Sequence, residues 1–87
     1  MLKIQMSTNG EVIFKLVGRM EAEHVPELGN LLASEKDGAR VVLDLTDLRL
    51  VDGDVVIFLR RCETDGIKLK NCPAYIREWI IRLRAEE

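Results

Sequence analysis

Two neighbouring stretches decide the fold: Val41-Val42-Leu43-Asp44-Leu45-Thr46-Asp47-Leu48 and, shortly after it, Val51-Asp52-Gly53-Asp54-Val55-Val56-Ile57-Phe58-Leu59. The first part has a strand-like pattern, and the second leads into an apolar segment of helical character. Between them a carboxylate lies on each side of a glycine, where a strand's carboxyl end meets a helix amino terminus. In parallel α/β sheets, ligands and partners bind at such junctions. Helix amino termini also carry unpaired N–H groups and partial positive charge, so the residues there matter electrostatically.

The residues before this stretch predict a β-hairpin. Apolar Leu2, Ile4 and Met6 alternate with polar neighbours, which is the period of a strand. Asn9-Gly10 is a strong hairpin-turn signal, because type I′ turns need positive φ at both central residues. A second strand is predicted over Val12–Val17, ending at Gly18.

One helix is predicted before the third strand, which spans Arg40 to Leu45, and a second helix after it. The first helix runs from about Glu23 to Lys36, because Pro26 is tolerated only in a first turn and Asp37-Gly38 supplies a carboxyl-terminal cap. The second runs from Asp54 to about Thr64.

The end of the chain predicts a short strand and a last helix. Ile67–Lys70 is the strand, and the helix starts near Pro73. Four apolar side chains of this helix lie at positions i, i+3, i+4 and i+7, which is the spacing of a core-facing stripe: Ile76, Trp79, Ile80 and Leu83.

The order of elements predicts one domain, residues 1–87, with a two-layer α/β sandwich fold. Right-handed crossovers between parallel strands place helices on the same face of a sheet. We therefore expect a mixed four-stranded sheet that begins with a hairpin and carries three helices on one side. Polar strand residues alternate with apolar ones and would face water. Ile13, Val17 and Val42 fall on this helix-free face, either as a partner or dimer patch or as ordinary exposed apolar residues.

Composition excludes several classes of protein. Among 87 residues, 47 % are apolar and 32 % charged, which is typical of a globular domain. A net charge of −2 argues against nucleic acid as the main partner. No apolar run is long enough to span a bilayer, and the first residues do not resemble a signal peptide, so we expect a cytoplasmic protein.

Cys62, Cys72 and His24 do not have the number or the spacing of a zinc site. We therefore expect no metal and no cofactor. The cysteines are interpreted as reduced and mostly buried. His24 is interpreted as a solvated residue near a helix start.

Four carboxylates gather around the strand–helix junction: Asp44, Asp47, Asp52 and Asp54. They could bind Mg²⁺ together with a lysine such as Lys70, or act as an acid–base pair. Alternatively, Asp52 or Asp54 caps the second helix, which is worth about 1 kcal/mol. We favour the cap, and we expect that the chain is not an enzyme.

These patterns together resemble the STAS domain of bacterial anti-sigma-factor antagonists. The matching segments are Leu16-Val17-Gly18-Arg19-Met20, the strand Val41–Leu48, and Val51-Asp52-Gly53-Asp54. The resemblance covers nearly the whole chain. It implies that Asp52 matches an aspartate of the family and that Asp44 matches the strand aspartate beside it.

The resemblance also identifies where this chain differs from the family. The family's phosphorylated serine or threonine follows the aspartate directly, and that position is Gly53 here. Glycine has no hydroxyl group and cannot accept a phosphate. Asp54 follows it and supplies one negative charge, against nearly two for a phosphoserine. The resemblance therefore implies a docking module without the phosphorylation switch.

The leading hypothesis is a protein-interaction module that binds a regulatory protein, such as an anti-sigma factor or serine-kinase-like protein. We expect the segment Leu48 to Asp54 and the second helix to form the interface, with Arg60 and Arg61 adding electrostatic complementarity. The last strand is expected to be an exposed edge, which favours a homodimer or another assembly. The alternatives are an accessory subunit of a membrane transporter, without membrane insertion of its own, and a domain that senses a small ligand.

Overall fold

The computed structural model of the chain describes residues 2–8, 10–35 and 40–85. Five strands and three α-helices follow one another: β1 (Leu2–Thr8), β2 (Val12–Met20), α1 (Val25–Ala33), β3 (Val41–Asp44), β4 (Leu48–Val51), α2 (Gly53–Thr64), β5 (Lys68–Lys70) and α3 (Ala74–Ala85). A 3₁₀ turn at Ala22–His24 leads into α1.

The strands form one mixed sheet in the order β1-β2-β3-β5, with β4 also paired to β2. β1 and β2 are antiparallel, as the hairpin pattern predicts. β3 runs parallel to β2, β5 runs parallel to β3, and β4 runs parallel to β2 beyond the end of β3. This arrangement confirms the predicted α/β fold class with its β-hairpin start, but the sheet has a fifth strand where we expected a loop.

The fifth strand exists because β2 does not end at Gly18. Gly18 has a φ of +99°, a conformation that glycine adopts without strain, and the pairing with β4 shifts its register directly after it. β2 therefore continues to Met20, and its last residues pair with β4. Gly18 is opposite Leu48 and the next residue is opposite Leu50, so Arg49 is the extra residue of a bulge.

One apolar core lies between the sheet and the helices. Its fully buried members come from every layer: Phe14, Leu16, Met20, Leu28, Leu43, Leu45, Val55, Val56, Leu59, Ile76 and Ile80. Burying a side chain of this size contributes roughly 1.5–3 kcal/mol. α2 contributes four buried residues and α1 only Leu28, so α2 is the more firmly anchored helix.

The first helix is shorter than the sequence predicts. Its α-helical part ends at Ala33, where the Ser34 hydroxyl donates to the carbonyl of Leu31 at 2.8 Å and so competes with the helical pattern. The predicted cap at Asp37-Gly38 lies outside the described residues, as does Asn9 of the predicted hairpin turn. Gly10 of that turn has the expected positive φ, +76°.

The three apolar residues that the sequence places on the helix-free face of the sheet differ in exposure. Val42 is only 3 % exposed, although it is not part of the core cluster, while Ile13 and Val17 are half-buried. Ile13 and Lys68 lie beside Val42 in the register. Neither alternative that the sequence leaves open, a partner patch or ordinary exposed residues, fits the buried Val42, whereas both remain open for Ile13 and Val17. Met6 belongs to the apolar set of β1 that alternates with the water-facing polar residues, so we expect it on the helix-covered face, but it is 58 % exposed.

Candidate functional site

Asp52 organises the junction between β4 and α2. Its backbone is extended, with a φ of −103°, and its side chain caps the helix: Oδ1 accepts a hydrogen bond from Val55 N at 3.0 Å. The other oxygen, Oδ2, accepts from Ala22 N at 2.8 Å, in the turn that follows β2. Of the two predicted caps, the structure therefore selects Asp52, and both of its oxygens are engaged.

Gly53 is the first residue of α2, one position earlier than predicted, and it lies beside the indole of Trp79. A methyl group at Gly53 would be 3.7 Å from Cζ2 of Trp79, which is an ordinary van der Waals contact. The φ of Gly53 is not in the left-handed region. Neither packing nor backbone conformation therefore requires a glycine here. Asp54 is exposed in the first turn of the helix, where a negative charge is favourable.

Asp44, at the end of β3, is engaged in local hydrogen bonds. Its Oδ1 accepts from Thr46 N at 3.0 Å and from Thr46 Oγ1 at 2.6 Å. Partial burial raises the pKa of Asp44, but the hydrogen bonds from Thr46 and Asn71 and the charge of Lys15 outweigh burial, so the pKa is lowered. This carboxylate therefore stays ionised and shapes the turn between β3 and β4.

Asp47 lies in the same turn and pairs with Lys15 of β2, with 3.0 Å between Oδ2 and Nζ. Both side chains are substantially exposed, so the pair contributes little stability. The hydrogen bond from Lys15 to Asp47 raises the pKa of the lysine. Among the described residues, no three His, Cys, Asp or Glu side chains are grouped closely enough to hold a metal ion.

Each of the three elements that meet at the α2 amino terminus carries an exposed apolar side chain, and that of Leu50 lies on the same sheet face as Arg19, its neighbour in the register. Leu50 of β4 is 54 % exposed, Ile57 of α2 43 % and Tyr75 of α3 44 %. We call these three residues, together with Gly53 and Trp79, the docking surface. Ile57 follows Gly53 by one helical turn, and Trp79 follows Tyr75 by one turn, so each pair shares a helix face.

The position of Tyr75 follows from the bulge in β4. Its hydroxyl donates to the carbonyl of Arg49, the extra residue of the bulge. This bond joins α3 to β4. Along the same flank of α3, Trp79 and Leu83 line an open pocket of about 500 Å³. The sequence predicts Trp79 as a core residue, and its side chain does pack against the core while staying partly exposed. Its partial exposure beside Gly53 depends on how α3 packs against α2, and the spacing of apolar residues does not reveal that.

Arg60 and Arg61 lie near the other end of α2. Arg60 follows Gly53 by seven positions, which is about 10 Å along a helix axis. The predicted site residues therefore form two groups. The aspartates and Gly53 surround the β3–β4 turn and the start of α2, whereas the arginines lie close to Thr64 and to Arg84 of α3.

The two cysteines and His24 lie at buried or half-buried positions. Cys62 is buried in the core and Cys72 is half-buried, and both are free thiols. His24 is half-buried rather than solvated, and its Nδ1 accepts a hydrogen bond from Glu21 N at 2.9 Å. In the described ranges, no helix combines the length and the apolar character needed to cross a membrane.

Comparison with solved structures identifies the fold. The chain superposes on the crystal structure of an uncharacterised protein of the DUF3478 family from Shewanella loihica PV-4, which has a SpoIIAA-like fold. The TM-score is 0.59 at 17 % identity, over 95 % of this chain and 75 % of that one. A crystal structure of Mglu matches with a TM-score of 0.57 at 20 % identity. That match covers 83 % of this chain and 19 % of Mglu, so it corresponds to a small part of Mglu.

The chain therefore has a SpoIIAA-like, STAS-like α/β fold. No protein-family model matches the chain, and no curated protein matches its sequence.

Proposed function

We propose that this chain is a non-enzymatic protein-interaction module, similar in role to anti-sigma-factor antagonists, whose partner binds at the docking surface. The observation that carries the proposal is the composition of the α2 amino terminus. Gly53 stands where the STAS resemblance implies a phosphorylated hydroxyl, and the elements that meet there, β4, α2 and α3, carry the exposed side chains of Leu50, Ile57 and Tyr75. Exposed aromatic and aliphatic side chains at one place are typical of protein interfaces.

The engagement of the aspartates supports a binding role rather than catalysis. Asp44 accepts from Thr46, Asp47 pairs with Lys15, and both oxygens of Asp52 accept backbone N–H groups. These carboxylates hold turns and a helix start in place. They thereby give the docking surface a fixed shape, which lowers the entropic cost of binding.

Binding at this surface would be independent of phosphorylation. Asp54 gives the α2 amino terminus a permanent negative charge, but its side chain lies one residue after the position that the resemblance assigns to the phosphate. We propose that the partner is a regulatory protein of the anti-sigma-factor or serine-kinase-like class, and that its affinity is constant with respect to ATP.

Affinity capture with two matched variants tests this proposal. L50D places a charge on the docking surface, whereas M6D places the same charge on an equally exposed apolar residue of β1. We expect the wild type and M6D to retain one common partner from a lysate of the source organism, and L50D to lose it. With that partner purified, calorimetry should give an affinity at least about tenfold weaker for L50D, and Mg²⁺ and ATP should not change the wild-type affinity. Equal retention by L50D and M6D would contradict the proposal.

A further inference from the structure

A pocket of about 370 Å³ lies near the carboxyl ends of α2 and α3, away from the docking surface. Its lining is dominated by cationic side chains: Arg60, Arg61, Thr64, Asp65 and Arg84. Among the described residues, three arginines and one aspartate thus line this pocket, in a chain whose overall charge is negative. Arginine near a helix carboxyl end is expected from the helix dipole. That expectation applies to each helix separately, but it does not account for arginines of two helices around one pocket.

The neighbouring ion pairs hold part of this cluster in place. A single oxygen of Glu63, Oε1, accepts from Arg77 Nη1 at 2.9 Å and from Arg84 Nη2 at 2.8 Å. One carboxylate thus binds two guanidinium groups, which leaves their joint charge positive. Glu63 fixes the position of Arg84 at the rim of the pocket, and half of the Arg84 side chain stays exposed. Arg61 is also exposed.

From this arrangement we infer that the pocket is a binding site for a phosphate group. One arginine can bind both oxygens of a carboxylate with two parallel N–H donors. A phosphate group has three oxygens and nearly two negative charges, so it can bind donors from several directions at once. Arg61 from α2 and Arg84 from α3 approach the pocket from two helices and provide such donors. The pocket lining contains no aromatic side chain on which a nucleobase could stack.

The site is independent of the proposed docking function, because it lies at the opposite end of α2. The sequence indicates Arg60 and Arg61 only as contributors to protein binding. The inference instead gives the pocket that they line a ligand, a phosphate group. The phosphate could belong to a phosphorylated peptide, a nucleotide or inorganic phosphate, and all three present the same oxyanion to the arginines.

An NMR titration with inorganic phosphate at constant ionic strength tests the site. We expect saturable shifts, in the low-millimolar range, for backbone amides of residues 60–65 and for the Nε–H signals of Arg61 and Arg84. R61Q/R84Q should weaken binding about tenfold or more. R61K/R84K keeps both positive charges but lacks the paired N–H donors of the guanidinium group, so it should give an intermediate affinity. R82Q is the matched control, since Arg82 lies on the same helix but does not line this pocket.

Two further ligands and one further variant complete the test. A phosphoserine peptide that binds more tightly than inorganic phosphate identifies a protein source, whereas tighter binding of adenosine monophosphate identifies a nucleotide. Equal affinity for all three ligands indicates free phosphate. E86Q/E87Q removes two acidic residues that follow α3 in the sequence, and it should leave binding unchanged or strengthen it. The inference is overturned if NaCl alone causes the same shifts, if R61Q/R84Q binds like the wild type, or if R82Q weakens binding equally.

Discussion

The carboxylate of Asp52 accepts a hydrogen bond from the backbone N–H of Ala22 at 2.8 Å, although thirty positions separate the two residues in the chain. Its other oxygen caps α2. One side chain thus joins the turn after β2 to the amino terminus of the most firmly anchored helix. The docking surface is built around this connection, because Gly53 follows Asp52 directly.

Substitution of Asp52 should separate its two roles. The serine of a D52S variant can still cap the helix but is too short to reach Ala22, so we expect a loss of about 1 kcal/mol in the free energy of unfolding. D52A removes both interactions and should cost about 2–3 kcal/mol. Urea denaturation measures both values. Hydrogen exchange is the control: in D52S the Ala22 amide should exchange faster while the Val55 amide stays protected. Equal stability of D52S and D52A would show that the cap contributes nothing.

Gly53→Ser should leave the fold and its stability almost unchanged. The new Cβ would be in ordinary contact with Trp79, and serine is at least as favourable as glycine in a helix. We expect a change of about 0.5 kcal/mol or less, with slight stabilisation favoured. Thermal unfolding followed by tryptophan fluorescence gives this value, because Trp79 is the only tryptophan of the chain. A loss of more than about 2 kcal/mol would mean that the glycine is structurally required.

Stability should depend on the ionisation of Glu63. The hydrogen bond from Arg77 lowers the pKa of this carboxyl below its ordinary value of 4.5, burial opposes this effect, and the charges of Arg77 and Arg84 add to it. Because the pKa is lower in the folded state, the stabilisation is complete above about pH 4.5 and is lost as the pH falls through the folded-state pKa.

The E63Q variant checks this pH dependence. Near neutral pH the wild type should be more stable than E63Q by about 1 kcal/mol, because the arginines are partly exposed and solvent screens the pairs. The difference should shrink as the pH falls from 6 to about 3 and as salt rises. A difference that is the same at both pH values would exclude an electrostatic origin.

The two cysteines should react at different rates. Burial raises the pKa of Cys62 to about 12, and burial also raises the pKa of Cys72. Thiolates are the reactive species, so at pH 8 both thiols should react more slowly than a free cysteine. Cys62, at 4 % exposure, should react only through unfolding. Thiol titration of C72A, with and without urea, isolates Cys62. Rapid labelling of folded C72A would contradict the buried position.

The sequence predicts local features of this fold well and long-range pairing poorly. The Asn9-Gly10 signal, the Pro26 position in a first helical turn and the apolar spacing of α3 each depend on neighbouring residues, and the order of elements follows from them. β4 could not be predicted in this way. Its pairing partner is the end of β2, and a glycine at position 18 indicates a strand end unless the bulge beside β4 is known.

The candidate site also combines local features that the sequence predicts with long-range contacts that it does not. Two possible helix caps were visible in the sequence, but the choice of Asp52 depends on geometry, as does its bond to Ala22. Likewise, Trp79 has the spacing of a core residue, and only the packing of α3 places its indole beside Gly53. The grouping of Arg61 with Arg84 also depends on tertiary structure, because the two residues belong to different helices.

The central claim is that a protein partner binds at the docking surface without phosphorylation. The most direct measurement is NMR mapping with the ¹⁵N-labelled chain and the captured, purified partner, without ATP. We predict that the largest shifts or signal losses fall on Leu50, Gly53, Ile57 and Tyr75 and on the indole N–H of Trp79, while β1 and β5 change little. Changes confined to the β1 or β5 edge, or binding only after a phosphorylation step, would contradict the account.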